Sequence, residues 1–203
     1  MIRVVWTDFG GVLTPPVGED LARVARAAGV PVEALLAAVR AVAPEDGLLA
    51  DLELGRLTER EWGERVTGAL LPLVPAVDLG RFGEHWHRGR ALNLGLLDVL
   101  TALEGVELAM LTNTIAEWEP HRSAMIPDKT VFRRIISSHE VGVRKPEDAM
   151  FALAEETFDT RPEECLLIDD LEVNCAAAAR RGWSAILHAD TRNTVARLGE
   201  LLG

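Results

Sequence analysis

The sequence predicts an α/β protein: one parallel sheet with helices on both faces, interrupted after its first strand by a block of helices. Three observations lead there. Short apolar runs rich in Val, Ile and Leu recur between helical periods from residue 93 onward. A similar run, Ile2–Thr7, stands apart at the N-terminus. Between Glu19 and Leu92 the periodicity is helical throughout, with no strand pattern. Strand–helix alternation implies parallel strands covered on both faces, so the first strand belongs with the later half. The expected division is a core of residues 1–15 and 93–203 with an inserted helical block, 16–92.

The elements follow in order. Pro15-Pro16 and Gly18 close the first strand's loop. Glu19–Ala28 reads as a helix stopped by Gly29, and Pro31 opens a helix to Val42. Thr58-Glu-Arg-Glu61 is a capping box ahead of Trp62–Leu70, and Asp78 precedes a helix through Arg90. Asn93 caps a helix to Leu103, Gly105 stops it, and Val106–Leu111 is a strand. A helical stretch leads to a short strand, Arg134–Ser137. Pro146 starts a helix over Glu147–Phe158, Cys165–Ile168 is a strand, and Leu171–Arg181 is a helix ended by Gly182. Ser184–Leu187 is the last strand, and Asp190 caps a final helix to Leu202.

Composition narrows the function. A net charge of −11 with no basic stripe argues against nucleic acid and anionic membrane as partners. No apolar run reaches the roughly 20 residues that span a bilayer, and the N-terminus does not read as a secretory signal, so a cytoplasmic enzyme is expected. Cys165 and Cys175 read as reduced packing residues. The 203 residues hold 21 basic side chains, of which only Lys129 and Lys145 are lysines. A lysine in such a background marks a place where a compact point charge is wanted.

Polar residues then fall at the carboxyl ends of the expected strands: Asp8, Thr112-Asn113, and Asp169-Asp170. In open α/β sheets ligands bind along that edge. Asp8 enters a Gly10-Gly11 turn whose backbone can approach a ligand closely. Such a set suits phosphoryl transfer through a carboxylate nucleophile, which cannot meet a phosphate dianion until both charges are neutralised. Asp169 and Asp170 beside Asp8 would hold Mg²⁺, a cation that prefers oxygen ligands, while Lys145 adds a second positive charge. Thr112 and nearby amides would bind phosphate oxygens.

The same groups in the same order resemble the four-motif signature of the haloacid dehalogenase superfamily. Asp8 matches the nucleophile motif, Thr112-Asn113 the second, Lys145 the third, Asp169-Asp170 the fourth, and Asn174 a frequent supporting Asn. Asp8-Phe-Gly-Gly-Val-Leu, Leu111-Thr-Asn-Thr114 and Arg144-Lys-Pro-Glu147 look most like the branch holding sugar-phosphate phosphatases and the N-terminal phosphatase domain of soluble epoxide hydrolases. The resemblance implies a Rossmann-like three-layer fold with the first strand central and the inserted block as a cap. It implies a Mg²⁺-dependent phosphatase of small phosphorylated metabolites. In it, Asp8 and Lys145 are catalytic and Thr112, Asn113, Lys145 and Gly11 bind phosphate. Asp8, the Gly10 carbonyl, Asp169 and Asp170 hold the metal.

One position departs. Most phosphatases of the family carry a second Asp two residues after the nucleophile, as general acid and then base, and here Gly10 stands there. Three outcomes fit: an acidic leaving group such as an anomeric or acyl phosphate, a proton from Glu19, His85 or His87 in the cap, or a weakened phosphate-binding or scaffold protein. A metal-independent 2-haloacid dehalogenase is the rival on the same nucleophile. A phosphorylatable receiver domain would need its Asp pair on the first strand. Among the tryptophans, Trp62 and Trp86 are candidates to line the pocket. The substrate and the oligomeric state are not legible.

Overall fold

A computed structural model describes residues 1–43, 49–71, 79 and 82–203. The sheet has five parallel strands in the order β3-β2-β1-β4-β5. These are β1 Val4–Thr7, β2 Glu107–Thr112, β3 Arg134–Ser137, β4 Cys165–Asp169 and β5 Ser184–Leu187. β1 is central, with Val4 facing Glu107 on one side and Cys165 on the other. All four residues of β1 are buried, as a strand covered on both faces must be. Val5 joins the apolar layer under α6 (Leu94–Thr101) and α11 (Thr191–Leu202). Val4 and Trp6 point the other way, into the layer under α9 (Asp148–Phe158) and α10 (Glu172–Arg181). This is the three-layer Rossmann-like arrangement.

Between β1 and β2 run α1 Val17–Ala28, α2 Val32–Val42, α3 Ala50–Glu53, α4 Glu59–Leu70, α5 Phe82–His87 and then α6. α1, α2, α4 and α5 share an apolar cluster of their own, built on Leu21, Val24, Leu35, Val39, Trp62, Val66 and Phe82. The expected punctuation is present. Gly29 ends α1 at φ 69°, Thr58 and Glu61 form the capping box, and Asn93 caps α6 through the Leu96 amide. Asp190 accepts from the Asn193 amide at the head of α11. Both cysteines are buried and free.

Several expectations need correction. The helix reaching Arg90 stops at His87, because Gly89 turns the chain at φ +71°. Asp78, where that helix was to start, lies outside the described residues. The helix after Asn93 ends at Thr101 rather than Leu103. Two four-residue helices, α3 and α8 (Ser138–Val141), are too short to show a period in sequence. Ile115 and Trp118, just past β2, pack into the apolar cluster of the helical block rather than into the layers beside the sheet. No helix among the described residues is long and apolar enough to cross a membrane.

Candidate active site

The site forms where the strand order reverses around β1. Asp8 leaves β1 with its amide still bonded to the Ile168 carbonyl at 2.9 Å, so the neighbouring strand fixes its position. The chain then folds back: the Leu13 amide reaches the Phe9 carbonyl at 3.1 Å, and the Thr14 hydroxyl bonds the same oxygen at 2.9 Å. Gly11 sits in this turn at φ +73°, and a Cβ there would lie 2.0 Å from Asp170 Oδ2. Only glycine meets both demands. Gly11→Ala is therefore expected to cost about 1–3 kcal/mol in strain and to displace the Asp170 carboxylate. A thermal melt and a Mg²⁺ titration check the two effects separately.

Lys145 is the only lysine in this cluster and is 1% exposed. Its Nζ lies 3.0 Å from Asp8 Oδ1 and 2.5 Å from Asp169 Oδ2. Burial works against its charge, but the two carboxylates outweigh that and hold its pKa above the usual lysine range. Its backbone is clamped by one side chain. Asn113 Oδ1 accepts from the Lys145 amide and Asn113 Nδ2 donates to the Lys145 carbonyl, each at 2.9 Å. A cis Lys145–Pro146 peptide follows. The Asn113 side chain is thus committed to placing Lys145, although the residue does line the cavity.

Asp169 ends β4 fully buried. Its Oδ1 accepts from the Leu171 amide and from Asn174 Nδ2, both at 2.9 Å, which gives Asn174 its supporting place. Asp170 follows with a pKa pushed up to about 7, by burial first and then by Asp8 and Asp169. Burial also raises Asp8, with Lys145 pulling the other way. One carboxylate oxygen each from Asp8, Asp169 and Asp170 lies within 4.8 Å of the others. Three oxygen donors that repel one another suit a hard divalent cation, and the residues present fit Mg²⁺. Thr112, 2% exposed at the end of β2, completes the floor.

Above this floor lies a cavity of about 110 Å³. The helical block supplies its roof, including Glu53, Trp86, His87 and Arg90. Trp86 lines it as expected. Trp62 does not; it packs edge-on to Phe82 inside the block. Glu19 is exposed and off this cavity, and His85 does not line it. His87 does, stacked on His121 at 4.8 Å and edge-on to Trp118 at 5.2 Å. Burial, then Arg90 and His121, push its pKa down to about 3, so it is neutral at physiological pH and has no proton of imidazolium type to give.

Sequence reasoning missed two ion pairs at this roof. Arg144 Nε meets Glu53 Oε2 at 3.0 Å, tying α3 to the loop that carries Lys145. Arg90 Nη2 meets Asp20 Oδ2 at 2.6 Å, with both side chains almost fully buried. Asp20 also pairs with Arg23. The one sequence signal was periodicity: Asp20 falls on the face of α1 that buries Leu21 and Val24.

A family model described as haloacid dehalogenase-like hydrolase matches residues 2–182. Bifunctional epoxide hydrolase 2 of Rattus norvegicus is 26% identical over 219 residues; the alignment covers all of this chain and 39% of that protein. The chain thus spans well under half of that relative. Among solved structures, a haloacid dehalogenase family enzyme of Bacteroides thetaiotaomicron, in complex with magnesium and inorganic phosphate, superposes at TM-score 0.70. It is 22% identical, with 92% of this chain and 93% of that one covered. An L-2-haloacid dehalogenase of Xanthobacter autotrophicus with chloropropionic acid covalently bound superposes at 0.67. It is 18% identical, with 98% and 83% covered. The family match runs through the first strand, the helical block and the Asp169-Asp170 end of β4, and on that extent the chain belongs to the haloacid dehalogenase-like hydrolases.

Proposed function

We propose that this hydrolase is a Mg²⁺-dependent phosphatase of small phosphorylated metabolites, with Asp8 as nucleophile and residues 16–92 as a cap over the site. The observation that carries the reading is the cluster of Asp8, Asp169 and Asp170 around one end of the sheet, with a lone buried lysine between two of them. Bound Mg²⁺ would screen the nucleophile from the phosphate dianion. Lys145 contributes a fixed positive charge against Asp8 and orients its carboxylate. Thr112 offers a hydroxyl to a phosphate oxygen, and Asn113 keeps Lys145 in place.

Purified protein is expected to hydrolyse p-nitrophenyl phosphate, to lose that activity in EDTA, and to regain it when Mg²⁺ is restored. Full activity in EDTA would contradict the metal assignment.

One observation favours a second reading. A halide needs no proton on departure, so a site without a donor at position 10 also suits a 2-haloacid dehalogenase. That reaction has no use for three converging carboxylates, which is why the phosphatase reading ranks first. Halide release from 2-chloropropionate without metal, together with no phosphatase activity, would reverse the order.

A further inference from the structure

The space left by Gly10 is faced by a particular residue. Among the described residues, and setting aside its chain neighbours, a Cβ placed at Gly10 would have its nearest atoms at 3.9 Å, and these are Asp8 Oδ2 and Arg90 Nη2. The guanidinium of Arg90 and the carboxylate of Asp8 therefore border the same volume, the one that a position-10 side chain would enter. Arg90 reaches there from the end of the helical block, after the turn at Gly89. Its side chain is only 3% exposed. Asp20 holds it at 2.6 Å, Nη2 reaches the Pro15 carbonyl at 3.4 Å, and the group lies 5.7 Å over the Phe9 ring and 5.6 Å over the Trp86 ring. Its Nε is buried and has no hydrogen-bond partner among the described residues. Asp20 is shared with Arg23, so one carboxylate faces two guanidinium groups there. None of the three candidate proton donors serves this position: Glu19 is exposed and off the cavity, His85 does not line it, and His87 is neutral.

We propose that Arg90 is the leaving-group residue of this site. Its guanidinium hydrogen-bonds the oxygen departing from phosphorus and stabilises the charge developing there, in place of a proton donor at position 10. Its substrates are phosphate esters or mixed anhydrides of acidic hydroxyls, such as carboxylic, enolic, phenolic or hemiacetal groups. The inference rests on the phosphatase reading above.

The steps balance without an added donor. An Asp8 oxygen forms a bond to phosphorus as the bond from phosphorus to the leaving oxygen breaks. That oxygen takes the electron pair, pairs with Arg90, and gains its proton from solvent. Water then attacks phosphorus and the Asp8 oxygen–phosphorus bond breaks. The carboxylate is restored, and both water protons leave on inorganic phosphate. A guanidinium is always protonated, so it acts by charge and hydrogen bonding rather than by proton transfer.

The test is kcat/KM across aryl and alkyl phosphates of graded leaving-group pKa, for wild type, Arg90→Met, and the double variant Arg90→Met with Asp20→Asn. The double variant keeps the test sound if Asp20, left unpaired, prevents the single variant from folding. Wild type is expected to fall steeply as leaving-group pKa rises. Loss of Arg90 should cost about 10²–10³-fold on the poorest leaving groups, as for an oxyanion donor, and less than about 10-fold on p-nitrophenyl phosphate, so the series steepens. A folded variant whose losses are equal across the series would overturn the role of Arg90 and leave the phosphatase reading standing. Absence of any Asp8-dependent turnover in wild type would overturn both.

Discussion

Asp8→Asn is expected to lower phosphatase kcat by on the order of 10⁴-fold or more, because it removes the attacking carboxylate oxygen that the proposed mechanism needs. The substitution is isosteric and should leave the fold intact. Asp8 is 9% exposed, and burial already disfavours its charge. Asn removes repulsion with Asp169 and Asp170, while Lys145 retains Asp169 at 2.5 Å. Thermal stability without metal should therefore match or exceed that of wild type. A melt beside the kinetic assay separates a lost nucleophile from a lost fold.

Lys145→Met should produce the largest loss of stability. The lysine is buried between two carboxylates, at 3.0 and 2.5 Å. Removing one partner from a buried ionic cluster costs about 3–5 kcal/mol, since the other charges stay desolvated. The pH dependence has a definite sign. Burial raises the Asp8 and Asp170 carboxyls, and the Lys145 cation works against that rise at both, so without it these two bind protons still more tightly when folded than when unfolded. Stability is then greatest below the unfolded carboxylate range and is lost as pH rises through the folded values. Asp170, already at about 7 with Lys145 in place, moves higher without it, so the window reaches past neutral pH. Metal-free Lys145→Met should thus melt lower at pH 8 than at pH 5, and Mg²⁺ should restore part of the difference by binding the folded state. A variant equally stable at both pH values would show that Lys145 does not neutralise this cluster.

The sequence carried the sheet and the floor of the site because both are written locally. Buried parallel strands are short, continuous apolar runs, and a carboxylate or Thr at their ends marks the ligand edge, as Asp8, Thr112 and Asp169 do. Caps such as Thr58–Glu61 are equally local. The roof was hidden for the opposite reason. Asp20 meets Arg90 across seventy residues and Glu53 meets Arg144 across ninety-one, and no periodicity records such pairs. Glu19 drew notice as a proton donor, yet helix phase buries its neighbour Asp20 instead. Asn113 was legible as part of a motif, but not that its amide would be taken up by the backbone of Lys145. Gly11 read as a close-approach glycine; its contact with Asp170 depends on two strands meeting, which only the fold shows.

The central claim is that Asp8 itself receives the phosphoryl group, and acid quenching during turnover tests it most directly. Protein mixed with p-nitrophenyl phosphate and Mg²⁺, quenched and digested, should yield the peptide containing Asp8 with one added phosphoryl group. That mark should be labile to hydroxylamine and absent from Asp8→Asn. The lack of a side chain at Gly10 to activate water should slow its hydrolysis and help it accumulate. A phosphoryl group on another residue, or turnover undiminished in Asp8→Asn, would contradict the account.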